Sequence, residues 1–417
     1  MKDSGIPWIG EIPSHWEELR IKYAGGFEKG RLPKETNNER IGLPIIGASE
    51  MLGREPRQYT EETSLPQCTK TDILILWDGA NAGIVANRLQ GVVSSTACKY
   101  SCTDSKVHKQ YLFFLLKYAE NYFRSKVYGT TIPHMSFDYI DSFPLLLPPM
   151  VEQQAIADFL DKKCGEIDEM VSLQEKIVEE LKAYKQSVIT EAVCKGLNPD
   201  VPMKDSGIEW IGMIPAHWGT PCIGYLSSIS SGGTPDRNVQ SYWENGTVNW
   251  FKTGELANKP IFESEEKITK TAVHSSSAKL FPCNTILVAM YGQGKTRGMT
   301  ALLKTEGTTN QACAGIQVNS PTIMTEYLWK CIIGAYNALR ELAVGTGQPN
   351  LNIEQISNFR IPLPPINEQK CIVEYVDRIA PVIDSLISLK LCKIDSLIEY
   401  KKSIIYEYIT GKKEVNG

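Results

Sequence analysis

The stretch Ala289-Met290-Tyr291-Gly292-Gln293-Gly294-Lys295-Thr296 carries the strongest chemical pattern in the chain. Two glycines followed by Lys-Thr fit a loose phosphate-cradling loop, in which backbone N–H groups and a lysine meet phosphate oxygens beyond a strand. Such a loop opens a helix, and Arg297-Gly298 interrupts one at once. A strand-end turn presenting Tyr291, Gln293, Lys295 and Arg297 is the better reading. Lysine and arginine suit guanine edges, glutamine and asparagine suit adenine edges, and both reach phosphates. The turn therefore has the composition of a DNA-reading loop, with a solvated hairpin tip as the plain alternative. His15 and His217 recur in Pro-x-His-Trp. An acid–base histidine needs a partner in reach, and its neighbours in sequence are only proline and tryptophan, so both read as structural residues at a junction with a helix. Cys98 and Cys102 stand without the second pair that a tetrahedral metal site requires. Asn198-Pro199-Asp200 lacks the aromatic that would stack a flipped base. We expect no catalytic residue and no metal.

The elements that must position these residues are repeated. Met1 to Trp16, MKDSGIPWIGEIPSHW, returns at Met203 to Trp218 as MKDSGIEWIGMIPAHW, identical at 13 of 16 positions. Leu147-Pro148-Pro149-Met150-Val151-Glu152-Gln153 returns as Leu363-Pro364-Pro365-Ile366-Asn367-Glu368-Gln369. Repetition on this scale implies two copies of one unit. Each copy reads as a mixed α+β domain. Leu19 to Tyr23 alternates like a strand that Gly25-Gly26 breaks; Ile73–Trp77 and Gly91–Val93 read as strands, and Tyr111 onward as a helix through Phe123. In the second copy Thr285–Met290 matches the strongest strand and Tyr327–Ile333 the helix. Gly129 to Pro133 aligns with Gly345 to Pro349, so Gln348, Asn350 and Asn352 stand opposite Ile132, His134 and Ser136. Between these landmarks the copies are nearly unrelated, the pattern of one scaffold carrying two binding faces.

Proline disfavours helix in the residue before it, so each Leu-Pro-Pro marks a boundary after which a long helix starts. Apolar or small residues recur three and four apart at Ile156, Leu160, Cys164, Ile167, Val171, Val178, Leu181, Val188 and Ala192, and again at Ile372, Val376, Ile379, Ile383, Leu386, Ile394, Leu397, Ile404 and Tyr408. A narrow stripe of this period is a coiled-coil seam. The two helices are expected to pair antiparallel, with one globular domain at each end in a pseudo-twofold dumbbell.

At 417 residues and 42% hydrophobic content the chain can build two to four cores. No apolar run approaches the ~20 residues of a membrane span, and the first residues lack a signal-peptide layout, so we expect a cytoplasmic protein. Eleven cysteines without regular spacing read as buried free thiols. Net charge is −4, yet residues 20–148 hold 16 Lys+Arg against 13 Asp+Glu and residues 219–362 hold 12 against 10, while residues 150–195 hold 6 against 10. The acidity sits on the first long helix and leaves both globular segments free to meet phosphates.

Taken together, these motifs resemble the specificity subunit of type I restriction-modification systems. The resemblance rests on the twofold Gly-x-x-Pro-x-x-Trp start, Ser-Gly-Gly-Thr-Pro at 231–235, Trp250-Phe251-Lys252-Thr253-Gly254-Glu255-Leu256, and Leu-Pro-Pro-x-x-Glu-Gln before each helix, in this order and duplicated. The first copy departs from it, having only Gly25-Gly26 followed by Lys29 to Lys34. The resemblance implies a target-recognition domain at 1–149, a long helix at 150–196, a linker at 197–202, a second recognition domain at 203–365 and a second helix at 366–417. Each domain would read one half of a bipartite, asymmetric site on double-stranded DNA. Candidate DNA contacts are Lys29, Arg31, Lys34, Asn81, Arg88, His134 and Ser136 in the first copy, and Ser231, Thr234, Arg237, Lys252, Tyr291, Gln293, Lys295, Arg297, Gln348, Asn350 and Asn352 in the second. Glu152, Gln153, Glu368 and Gln369 are candidates for partner contacts, with helix capping as the alternative. The family's subunit is not itself an enzyme and binds no cofactor. It recruits two methyltransferase subunits that use S-adenosylmethionine, and motor-nuclease subunits that use ATP and Mg2+. The rivals are a nucleotide-binding enzyme built on Ala289–Thr296 and a coiled-coil adaptor without DNA contact.

Overall fold

A computed structural model describes residues 1–6, 9–129, 133–292, 294–343 and 350–415. The chain forms two compact units, Met1–Glu175 with Leu391–Gly417, and Lys176–Lys390. The long helices run Met150–Lys195 and Ile366–Ile409, so they begin where the proline boundaries place them, and each contributes residues to both units. The expected partition at 149, 196, 202 and 365 sets the helices apart as separate elements; by packing, they are part of the units' cores.

In the first unit an antiparallel sheet runs in the order Gly25–Lys29, Ala97–Cys102, Ile73–Leu76, Val85–Ala86. The second unit repeats it with Ser227–Ser231, Cys313–Val318, Ile286–Ala289 and Thr300–Leu303, then adds Lys259–Ile261 as a parallel edge. A second sheet in each unit is built on one parallel pair, Val92 opposite Ile45 and Trp250 opposite Thr308. The middles that look unrelated in sequence thus share a sheet order, because alternate residues of very different type satisfy the same pleat. Gly25 and Gly26 begin a strand instead of ending one. A Cβ on Gly25 would lie 2.3 Å from the Ser101 carbonyl oxygen, so the glycine lets two strands close up. The expected helix from Tyr111 is two, Lys109–Tyr118 and Glu120–Ser125, which meet at Ala119.

Each unit's core is completed by stretches of both long helices packed antiparallel. In the first unit Phe159 stacks near Tyr408 at 4.3 Å and Asp168 pairs with Lys401 at 2.6 Å. In the second Lys185 pairs with Asp384 at 2.7 Å, and Val193 shares the core with Ile372 and Val376. Most of the expected seam is buried, including Leu160, Ile167, Val178, Val376, Ile383 and Ile404. Leu386 is not: it is 43% exposed, and towards the end of the first helix Ile189 and Val193 are buried where Val188 was expected. The helix ends cross over between copies. Tyr111 donates its hydroxyl to the carbonyls of Leu146 and Ile409, and Tyr327 makes the same bonds to Pro362 and Val193. Copy one is therefore closed by the end of the second helix and copy two by the end of the first.

Of the cysteines, Cys68, Cys98, Cys164, Cys194, Cys313 and Cys331 are buried, and burial pushes the Cys98 thiol up to about 12. Cys283, Cys371 and Cys392 are exposed, against the reading of buried thiols throughout. Among the described residues no helix is long and apolar enough to cross a membrane.

Candidate nucleic-acid interface

In the first unit, pairing of the central strands sets Cys98 opposite both Lys29 and Ile75, and the chain leaves the Ile73–Leu76 strand through Trp77 and Asp78. The Met135 N–H donates to the Trp77 carbonyl at 2.9 Å, and Gly79 N–H to the Pro133 carbonyl at 2.9 Å. This backbone stitching brings His134 to Asp78. The Asp78 carboxylate then holds His134 Nδ1 at 2.6 Å and Lys29 Nζ at 3.0 Å, one on each oxygen. Burial alone raises the Asp78 pKa, but the hydrogen bonds from His134 and Lys29, with their charges, outweigh it and hold the carboxyl below its usual range. Aromatic rings lie nearby: those of Phe137 and Trp77 are 4.2 Å apart and tilted, and the Tyr128 ring lies 6.3 Å from that of His134. Asp78 is not among the residues that the sequence singles out. Its partners are 49 and 56 residues away in the chain, so no local signal marks it.

A depressed folded-state pKa means that the ionised carboxylate stabilises the fold above the unfolded value of roughly 3.9, and that the contribution is lost as pH falls through the folded value. Asp78→Asn is accordingly expected to lower the thermal midpoint at pH 7, with the gap narrowing as the pH falls below about 3.9 and through the lowered folded value. Melting curves from pH 7 to 3 test this, and a gap that persists undiminished at the acid end contradicts it.

The matching positions in the second unit are Ser231, Tyr291 and Asn350, and the Leu351 N–H again donates to the carbonyl of Met290 at 3.0 Å. Here the Ala289–Thr296 stretch joins the antiparallel strands Ile286–Ala289 and Thr300–Leu303. No helix follows it. Side chains engage carbonyls in and just after this turn, with Arg340 donating to Gly294 and Arg297 at 2.7 and 3.0 Å and Tyr336 to Lys295 at 2.7 Å, while the Ala289 and Met290 N–H groups donate to the Met299 and Ala312 carbonyls at 2.8 Å. A phosphate-cradling loop opens a helix whose N–H groups face the ligand, and this stretch leads into a strand instead. Tyr291 and Lys295 are exposed, and Arg297 is half-buried.

Ser-Gly-Gly-Thr-Pro has no room for side chains at its glycines. A Cβ on Gly232 would lie 2.0 Å from Thr309 Oγ1, and one on Gly233 would lie 2.3 Å from the Ser277 carbonyl oxygen. Thr234 donates its hydroxyl to the Gln311 side chain, while Ser231 is half-buried at the strand's end. The motif is thereby a brace that delivers Arg237, whose guanidinium lies 3.7 Å from the centre of the Trp243 ring and 4.8 Å from that of Trp250. Glu266 ties Arg237 to Lys252, at 2.5 and 2.9 Å, and Lys252 also meets Glu265 at 3.1 Å. Hydrogen bonds from Arg237 and then Lys252 keep the Glu266 carboxyl low, and those to Glu266 and Glu265 raise the Lys252 pKa. Trp243 and Glu266 were not foreseen as part of this group.

Other candidates have different surroundings. Ser136 and Asn352 cap equivalent short helices, accepting from Asp138 and Gln355 at 3.3 and 2.7 Å, so their polarity has a structural reason. Arg88 turns to Asp161 on the first long helix at 2.5 Å. Arg31 and Lys34 are exposed, and Asn81 and Asn350 are half-buried. Gln293 and Gln348 lie outside the described residues, as do Thr130-Thr131-Ile132 and Gly345 to Pro349 of the aligned loop except for its flanks.

The partner candidates resolve into two kinds. Gln153 and Gln369 are 1% and 0% exposed and fully used: each accepts from a backbone N–H, of His108 or Met324, and donates to two carbonyls at 2.8 or 2.9 Å. Burial and saturation remove both from any surface. Glu152 and Glu368 are partly exposed, and each accepts from the histidine and tryptophan of Pro-x-His-Trp, at 2.8 and 3.0 Å in the first copy and 2.7 and 3.0 Å in the second. The histidines do have an acid in reach, unlike the sequence reading, and they use it to clasp the repeat onto the start of the long helix.

Two α+β units of common sheet order, each closed by the far end of the other copy's helix, define an internally duplicated scaffold. A family model described as the type I restriction modification DNA specificity domain matches residues 13–186 and again 215–411. The chain belongs to this family. It is 26% identical to the Type I restriction enzyme MjaVIII specificity subunit of Methanocaldococcus jannaschii over 97% of this chain and 95% of that one. It is 30% identical to the MjaIX specificity subunit of the same organism over 91% and 89%. With the EcoR124I/EcoR124II specificity subunit of Escherichia coli it shares 25% identity over 82% and 81%. A solved structure from work on complex assembly and conformational transition of the type I R-M system superposes with a TM-score of 0.72 at 16% identity, over 97% of this chain and all of that one.

Proposed function

We propose that the chain is the non-catalytic specificity subunit of a type I restriction-modification complex and reads a bipartite, asymmetric site on double-stranded DNA, one half per unit. The observation that carries this reading is a common scaffold with chemically different strand-end groups: Lys29, Asp78 and His134 in one unit, Ser231, Tyr291 and Asn350 in the other. Two frameworks of one shape bearing two sets of donors and acceptors are suited to two different half-sites. Two methyltransferase subunits that use S-adenosylmethionine would dock on the duplicated parts. Through them would come restriction subunits that use ATP and Mg2+, and the cytoplasm is where such a complex meets DNA. The chain itself needs no cofactor for this role.

The test is to map methylated adenines in a host genome with and without this gene. Loss of one bipartite motif is the expected result, and an unchanged pattern of methylation rejects the proposal. Replacing residues 219–345 with those of another family member is expected to change one half of the motif and leave the other. The isolated chain, with net charge −4, is expected to bind random duplex weakly and to lose that binding as salt rises.

A further inference from the structure

We infer that Lys29, His134 and Asp78 form the base-reading centre of the first unit, in which Asp78 is a positioning residue and the pair it holds recognises a guanine edge. The inference rests on the DNA-reading function proposed above and goes beyond it by assigning one base to one cluster.

Three observations carry it. First, the Lys29 and His134 side chains are each 42% exposed while Asp78 is 18% exposed, so the carboxylate lies beneath and the two nitrogen-bearing heads face outward. One interaction of each head goes to Asp78, which leaves the lysine with two further N–H donors. A cation with two spare donors, fixed by a carboxylate, matches the paired O6 and N7 acceptors that guanine presents in the major groove. Second, the cluster sits where separate chain segments are joined by backbone hydrogen bonds, and Trp77, next to Asp78 in the chain, is buried with its ring 4.2 Å from that of Phe137. A long side chain on such a base loses less freedom on binding than one on a mobile loop. Tyr128 and Phe137 stay exposed beside it, at 57% and 40%, offering apolar contact to neighbouring bases. Third, at the three matching positions the second unit has Ser231, Tyr291 and Asn350, with no acid and no cation. A group needed for the scaffold would recur in both copies, as the Glu152 and Glu368 clasps do. This one does not recur, so it belongs to what the two units do differently.

The experiment uses the complete complex, with the chain co-expressed with its methyltransferase partners, and reads the methylated motif genome-wide for the unsubstituted chain, Lys29→Met, Asp78→Asn and the double variant. The half-site read by the first unit is expected to contain a guanine–cytosine pair whose discrimination falls on the order of tenfold to a hundredfold in Lys29→Met. The same position, and no other, relaxes in Asp78→Asn. Because Asp78 acts through Lys29, the double variant is expected to be no more relaxed than Lys29→Met alone. The half read by the second unit stays unchanged in every variant and serves as an internal reference. A first half-site without a guanine–cytosine pair, or one unaltered by Lys29→Met, overturns the inference. So does a uniform loss of binding with a shallower salt dependence and unchanged base preference, which is the signature of a phosphate contact. Should Asp78→Asn fail to assemble, Lys29→Met at the exposed head still decides. If the unsubstituted chain yields no bipartite motif, it is the proposed function that fails, and the two failures are told apart.

Discussion

Replacing Gln369 with leucine is expected to destabilise the second unit by about 3–5 kcal/mol. The side chain is 0% exposed, and its amide makes three hydrogen bonds of 2.8 Å: donating to the carbonyls of Thr322 and Pro364, accepting from the N–H of Met324. Leucine has similar bulk but leaves all three backbone groups without partners beneath the start of a helix. A buried group so stranded costs about 1–3 kcal/mol, which outweighs the gain from burying a more apolar side chain. Gln153→Leu is expected to do the same in the first unit, where the bonds run to Lys106, Pro148 and His108. Hydrogen exchange locates the effect: protection is lost around residues 322–334 for the first substitution and around 106–116 for the second. Urea unfolding shifted by less than about 1 kcal/mol contradicts the account.

The second large effect falls on the repeated tryptophans. Trp218 is 1% exposed, donates its ring N–H to Glu368 at 3.0 Å, and lies against Gly196, where a Cβ would come within 3.0 Å of the ring. Trp16 is 2% exposed, bonds Glu152 at 3.0 Å, and is covered by Gly411 in the same manner. Gly196 and Gly411 have φ of +74° and +67°, a region where a side chain is strained, and each ends a long helix at the point where a ring must pass. Trp218→Ala removes the ring from a packed junction and is expected to cost about 3–5 kcal/mol, with Trp218→Phe recovering most of it. Thermal and urea unfolding measure the loss. Equal stability of the alanine variant rejects the idea that this repeat is a structural seat.

How much of this was legible depended on range. The proline boundaries, the long helices, the strand Ile73–Leu76 and its counterpart Ile286–Ala289 are local patterns of period and punctuation, and they stand where those patterns put them. The structural reading of His15 and His217 held, although their glutamate partners, 137 and 151 residues away, were outside any local view. Gln153 and Gln369, candidates for partner contacts with helix capping as the alternative, are buried. Adjacency to an exposed glutamate says nothing about which side of a helix start faces the core. Gly25-Gly26 was misread for the same reason, since whether a glycine breaks a strand or admits a neighbouring one depends on Ser101, far along the chain.

The amino-acid sequence alone determined the duplication, the α+β character, the period of the helical seam and the family, because these are written in repeats, motifs and spacings along one dimension. Only the tertiary structure decided that each copy is closed by the other copy's helix, that unrelated middles adopt one sheet order, and that Lys29, Asp78 and His134 meet at one point. Those are consequences of strand pairing and burial, which bring together residues that the chain itself keeps far apart.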